Sequence, residues 1–128
     1  MVTEVAELEW AAGFFDGEGY IGITSHGLHR VDKQLRVMVS QSYDPVTLYR
    51  FQKAVGCGIV NGPYLNRGSP MWQFRANSYD DVLTMISKLW SYLSPPKRRQ
   101  TLLAIMSRIE NRKLTDKDIL NTLDYLPE

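Results

Sequence analysis

One cysteine, two histidines and no apolar run of about 18 residues set the first limits on this 128-residue chain. A lone thiol, Cys57, excludes an internal disulfide framework and fits a reducing compartment. Set between two glycines and without a histidine partner, it reads as a small packing residue. His26 and His29, with a distant Cys57, make a poor zinc set, because closed sites want about four ligands. The missing hydrophobic run excludes a membrane helix, so no membrane partner is expected. No Lys or Arg precedes Arg30, and the beginning of the chain resembles neither a secretory signal nor a transit peptide. The expected location is the cytoplasm, or an organelle if the gene resides there. Gly13, Gly17, Gly19 and Gly22 do not sit between a strand and a following helix, which argues against a phosphate-cradling glycine loop.

What is present suits a globular domain. Hydrophobic residues make up 44% and charged residues 23%, and the length suffices for one domain, 1–128, with its own core. The net charge of +1 hides a strong asymmetry. Residues 1–28 carry −5 and residues 29–75 carry +5, while Lys97-Arg98-Arg99 forms a second basic cluster. Such clusters fit either solvated surface or a polyanionic partner.

Periodicity divides the chain into elements. Thr3 caps a helix from about Glu4 whose apolar residues fall on two faces: Val5, Leu8, Ala12 and Phe15, and beside them Ala6, Trp10, Gly13 and Gly17. From Tyr20 the period is two, and it returns over Gln34–Gln41, giving a hairpin joined by a polar loop that contains His29, Arg30 and Lys33. Asp44-Pro45 predicts the N-cap and first residue of a helix that Gly56 ends. Ile59-Val60 and Met71–Arg75 predict a second hairpin, separated by a Gly/Pro/Asn-rich loop, with Trp72 and Phe74 facing inward. Ser78 starts a helix carrying Val82, Leu83, Ile86, Leu89, Trp90 and Leu93. Pro95-Pro96 opens the next, and Thr115 starts a short last helix ending near Leu126. The expected fold is α+β, in the order α-β-β-α-β-β-α, with a curved antiparallel sheet covered by helices on one face.

The open sheet face would carry Thr24, His26, Gln34, Arg36, Met38, Ser40, Gln73 and Arg75. Hydrogen-bonding and cationic side chains on a two-hairpin ribbon suit a DNA major groove, where Arg reads guanine and Gln reads adenine. Polarity is also the ordinary state of a solvated face. The stretch Trp10–Ile21 is more specific, because Asp16 and Glu18 lie at a helix C-terminus, where the macrodipole disfavours negative charge. Gly13 and Gly17, four apart, would let a second helix approach closely.

Ala11-Ala12-Gly13-Phe14-Phe15-Asp16-Gly17-Glu18-Gly19 resembles the LAGLIDADG motif of homing endonucleases in its glycine and acidic pattern, and the element order is similar over nearly the whole chain. A single copy implies the homodimeric subclass, with Trp10, Gly13, Phe14, Asp16 and Gly17 at the dimer interface. The resemblance implies that Glu18, one from each subunit, binds divalent metal together with the backbone of Gly17, and that Asp16 is mainly structural. Gln41 looks like the family's strand-end glutamine that orders water. Lys97-Arg98-Arg99-Gln100 resembles its Lys-x-x-Gln, which makes Lys97 the catalytic basic residue and Arg98 its rival. Two departures stand out: Glu18 replaces the commoner Asp, and Pro45 occupies a place often held by a further basic residue.

The chemistry agrees with that resemblance. Phosphodiester cleavage needs an activated water, charge relief on the phosphate and a stabilised leaving oxygen, which paired divalent ions roughly 4 Å apart provide. Mg²⁺ or Mn²⁺ is the expected cofactor, with Ca²⁺ expected to support binding without cleavage. The implied activity is a double-strand break in a long, near-palindromic DNA site, leaving short 3′ overhangs, by an intron- or intein-linked enzyme. Arg30, Lys33, Asn61, Tyr64, Asn66, Arg67 and Arg98 join the sheet residues as expected DNA contacts. The rival readings are an RNA maturase or a non-catalytic DNA-binding protein of the same fold, and, from another class, a sugar- or peptide-binding module.

Overall fold

The computed structural model describes residues 3–24, 34–110 and 117. The element order is α1 (Glu4–Glu18), β1 (Gly19–Thr24), β2 (Gln34–Ser42), α2 (Val46–Val55), β3 (Ile59–Asn66), β4 (Ser69–Ala76), α3 (Tyr79–Leu89), a 3-10 turn (Trp90–Tyr92) and α4 (Pro95–Glu110). Among the described residues no helix is long and apolar enough to cross a membrane. His26, Arg30, Lys33 and, apart from Lys117, the last expected helix lie outside the described residues.

Local chemistry accounts for most element boundaries. The Thr3 hydroxyl accepts from the Ala6 amide at 3.0 Å, and Glu4 and Glu7 place negative charge in the first turn of α1, where the dipole favours it. Ser78 caps α3 by accepting from the Asp81 amide. Gly56 ends α2 at φ 77°, a left-handed conformation that glycine adopts without a Cβ penalty. The Lys88 ammonium adds a 2.9 Å bond to the Val55 carbonyl at the same helix end.

All strand pairs are antiparallel, in the spatial order β1-β2-β4-β3. Side-chain alternation separates two faces. Ile21, Leu35, Val37, Val39, Phe74 and Ala76 are buried on one, against Phe15 of α1, Leu48, Phe51 and Val55 of α2, and Val82, Met85 and Leu89 of α3. Phe51 is the hub: it meets Phe74 edge-on at 5.0 Å between centroids and stacks on Phe15 at 6.3 Å. α4 runs along β1 and turns Thr101, Ala104 and Ser107 inward.

Three expected boundaries are corrected. Pro45 is the N-cap of α2 rather than its first helical residue, because its carbonyl accepts the first helical bond, from the Tyr49 amide; Asp44 assists by accepting from the Val46 amide at 2.8 Å. The stretch read as a loop around Tyr64 and Asn66 is the outer half of β3. Arg67 at φ 53° and Gly68 at φ 82° close a two-residue turn, and a register shift between Asn61 and Tyr64 absorbs Gly62 and Pro63 as an irregularity of an edge strand. The helix carrying Trp90 stops at Leu89, tightens into the 3-10 turn, and becomes extended at Leu93.

Candidate active site

α1 ends at Glu18 on the exposed surface, and its last turn contains no basic residue. Among the described residues no hydrogen bond or ion pair engages the Glu18 carboxylate. The negative helix end and a free carboxylate together make a place for a cation. The Gly17 carbonyl, one of the last four of the helix and so without an intrahelical partner, adds a hard oxygen. A single carboxylate and a carbonyl are a partial donor set, and among the described residues no three His, Cys, Asp or Glu come together to hold a metal ion. The set is completed if a second α1 supplies another carboxylate. Gly13 and Gly17 are both exposed, and a Cβ built on either would meet nothing within 4 Å, so this face of α1 is open to such an approach.

Lys97 reaches the same end of α1 from the first turn of α4. It is nearly buried, at 9% exposure, and its ammonium donates to the Gly19 carbonyl at 2.8 Å and to Gln100 Oε1 at 2.9 Å, 5.1 Å from the centroid of the Phe15 ring. Burial pulls its pKa below the ordinary lysine value, and the negative charge of Asp16 opposes that shift. Asp16 binds within its own chain: its carboxylate accepts from the Ser94 amide at 3.1 and 3.2 Å and from the Ser94 hydroxyl at 2.9 Å.

Gln41 lies on the helix-facing side of the sheet, opposite Trp72, two positions along β2 from Val39, which pairs with Gly19. That register sets it beside the junction of α1 and β1. Its Nε2 donates to the Ser40 carbonyl at 3.0 Å, leaving the Oε1 side of the amide for other partners. Arg98 turns elsewhere. Its guanidinium donates to the carbonyls of Trp90 and Ser91, both at 2.9 Å, and lies over the Trp90 ring, so it closes the 3-10 turn while Lys97 faces α1.

Trp10 and Phe14 are also turned inward. They stack on each other at 5.3 Å; Phe14 meets Phe51 edge-on, and Arg50, paired with Glu7 at 2.7 Å, covers Trp10. Of the five residues expected at a dimer interface, these two and Asp16 also make contacts inside the chain, and the two glycines are open surface.

The opposite sheet face forms cross-strand rows. Tyr20, Met38, Arg75 and Ile59 make one; Ser40, Gln73 and Asn61 the next; Gly22 pairs with Arg36 and Thr24 with Gln34. Asn61, Tyr64, Asn66 and Arg67 continue the surface along the exposed β3 hairpin. Arg75 is held by a two-pronged bond to Gln73 Oε1, at 2.5 and 3.1 Å, and Arg36 Nε donates to Asn77 Oδ1 at 3.1 Å. Asn77, which also accepts from Gln34 through its carbonyl, and Ser94 were not singled out from the sequence. Ser-Pro-Pro is a legible helix start, with Ser at the N-cap, but the carboxylate it would meet 78 positions away is not.

The sequence profile of the LAGLIDADG endonuclease family matches residues 11–121. No characterised protein compared by sequence matches the chain. Among solved structures, the homing endonuclease I-CvuI, crystallised with its target in the presence of 2 mM Ca, superposes with a TM-score of 0.69 at 22% identity, over 97% of this chain and 98% of that one. The homing endonuclease I-GzeII in complex with a DNA target gives 0.64 at 25% identity, over 94% of this chain and 44% of that one. The archaeal intron-encoded homing endonuclease I-Vdi141I complexed with DNA gives 0.63 at 13% identity, over 95% and 97%. With the motif at the end of α1 and the profile running through nearly every described element, this chain belongs to the LAGLIDADG endonuclease family.

Proposed function

We propose that this chain is a homodimeric, Mg²⁺-dependent, sequence-specific DNA endonuclease, with one active centre built across paired α1 helices. The observation that carries the reading is the exposed Glu18 carboxylate, without a partner among the described residues, on a helix whose glycine face is open, beside a buried ammonium tied to the next residue's carbonyl.

The donor chemistry fits a hard divalent ion, which takes oxygen ligands, commonly one or two carboxylates with phosphate and water. Glu18 and the Gly17 carbonyl would hold it, and bound divalent ions supply charge neutralisation at the phosphate and a more acidic water. The residues of the chain do the rest. Gln41 holds a water near the α1–β1 junction through its amide. Lys97 keeps a positive charge where the phosphate gains negative charge, and its anchoring to Gly19 removes the need to reorganise during reaction. The rows of the open sheet face lie in the major groove, and two-fold symmetry makes the preferred site near-palindromic. The lone thiol fits a cytoplasmic or organellar protein.

The direct test offers the full chain a randomised duplex library in Ca²⁺, recovers bound DNA, and transfers it to Mg²⁺. Enrichment of a near-palindromic sequence followed by cuts at its centre is the expected result. Enrichment without cutting assigns the chain to the non-catalytic or maturase class, and no enrichment removes double-stranded DNA as the target.

A further inference from the structure

The bonds made by Ser94 exceed what starting α4 requires. Helix starts leave four amides without partners, but Pro95 and Pro96 have no N–H, so two of those donors do not exist here. Of the remaining two, the Ser94 amide finds its acceptor outside the helix, in Asp16, and the Lys97 amide lies 3.4 Å from Ser94 Oγ, while the Arg98 amide makes the first helical bond, to the Ser94 carbonyl at 2.9 Å. The shorter side-chain bond goes to α1: Ser94 Oγ donates to Asp16 Oδ1 at 2.9 Å, and the Ser94 amide is shared between both Asp16 oxygens. Three residues past Ser94, the Lys97 ammonium reaches the carbonyl of Gly19, which is three residues past Asp16. Two short arms, one on each helix, are thereby joined at both ends, and Glu18 sits within the α1 arm.

We propose that Ser94 is a positioning residue for DNA cleavage, a clamp that fixes the carboxylate-bearing end of α1 against the ammonium-bearing start of α4. The proposal rests on the reading of Glu18 and Lys97 given above. The charge-assisted bonds to Asp16 are the stronger class of hydrogen bond, and they set the direction in which α4 leaves the 3-10 turn. Displacing a reacting group by about 1 Å can cost a hundredfold in rate, so the clamp acts on chemistry more than on folding.

A helix cap and a clamp make different demands on this position. Ser94→Thr keeps both. Ser94→Ala keeps the amide bond to Asp16 but loses the hydroxyl. Ser94→Asp keeps a good capping side chain while setting a second carboxylate against Asp16, which separates the two roles.

The experiment uses the full chain and a duplex recovered by wild-type binding in Ca²⁺. It measures single-turnover cleavage in Mg²⁺ below the melting transition, affinity for the same duplex in Ca²⁺, and cooperative thermal melting. Ser94→Ala and Ser94→Asp should cut roughly 10- to 100-fold more slowly, with affinity in Ca²⁺ unchanged, and Ser94→Thr should restore the rate. If Ser94→Ala fails to fold, Ser94→Asp carries the test. Lys97→Met is measured alongside. Should it cut like wild type, the role of Lys97 falls and the clamp with it. Should Lys97→Met be inactive while Ser94→Ala and Ser94→Asp cut at the wild-type rate, the clamp alone is overturned. Parallel losses of binding and cutting in the Ser94 variants would assign the residue to the fold and also overturn the proposal.

Discussion

The Lys97 ammonium lies 2.8 Å from the carbonyl of Gly19, the residue that follows Glu18 and begins β1. One bond therefore joins the start of α4 to the point where α1 becomes strand. Its cost is a nearly buried charge, which the Gly19 and Gln100 oxygens and the Phe15 ring solvate in place of water. A methionine would fill similar space without that desolvation, so comparing Lys97→Met with wild type isolates the contribution of the charge.

Glu18 stands at a helix end whose dipole repels it, so the proposed metal-binding role and stability make opposite demands on this residue. Glu18→Gln should lower cleavage about a hundredfold or more, while the melting temperature without metal stays level or rises slightly. Cleavage assays in Mg²⁺ paired with calorimetry in EDTA check both halves.

Gly13 faces open space within one chain. Gly13→Leu should leave the isolated fold intact, since a helix interior gains up to about 0.8–1 kcal/mol on losing glycine. The added side chain should block close pairing of two α1 helices. Sedimentation velocity should show the variant as a monomer at concentrations where the wild type is a dimer, with cleavage lost in parallel.

Arg36 and Arg75 lie in neighbouring rows of the open sheet face, oriented by Asn77 and Gln73. If they read bases, Arg36→Ala and Arg75→Ala should each relax preference at a separate position in each half-site, at about 1–3 kcal/mol per lost bidentate contact. Single-base substitution profiling of the selected duplex resolves the two. Unchanged profiles would leave these residues as solvated surface.

The Glu7–Arg50 pair sets a pH dependence of known sign. Its hydrogen bond to Arg50 holds the Glu7 carboxyl below the ordinary range in the folded chain. The stabilisation is therefore present above the ordinary glutamate pKa of about 4.3 and is lost as pH falls through the lowered folded value. The difference in urea midpoint between wild type and Glu7→Gln should be visible at neutral pH and shrink as pH falls below the ordinary glutamate range. It should be small, because both partners are accessible to water.

Much of the fold was legible because it rests on short-range rules. Alternation over Gln34–Gln41 predicted the buried Leu35, Val37 and Val39, and Thr3, Ser78 and Gly56 marked helix ends through bonds that span only a few residues. The reading failed where a local signal had two meanings. Gly62 and Pro63 read as loop but occupy an irregular edge strand, because the tight Arg67-Gly68 turn restores pairing beyond them. A further contact lay outside any short window without contradicting the sequence reading: α2 packs against Trp10 and Phe14 while Gly13 and Gly17 on the same helix stay open.

For the candidate site, the sequence alone determined the chemical inventory: two acids and four glycines across a helix-to-strand junction, a strand-end glutamine, and a basic run after Pro95-Pro96. Tertiary structure decided which of these groups meet. Asp16 and Ser94 are 78 residues apart, as are Gly19 and Lys97, and each pair forms only because the sheet and the α3 layer return the chain to the end of α1. Lys97 and Arg98 are neighbours with like charge, yet a rotation of about 100° around α4 sends one to the end of α1 and the other to the Trp90 and Ser91 carbonyls. Composition and periodicity record which groups a chain carries, but long-range contacts depend on packing that no short window of sequence contains.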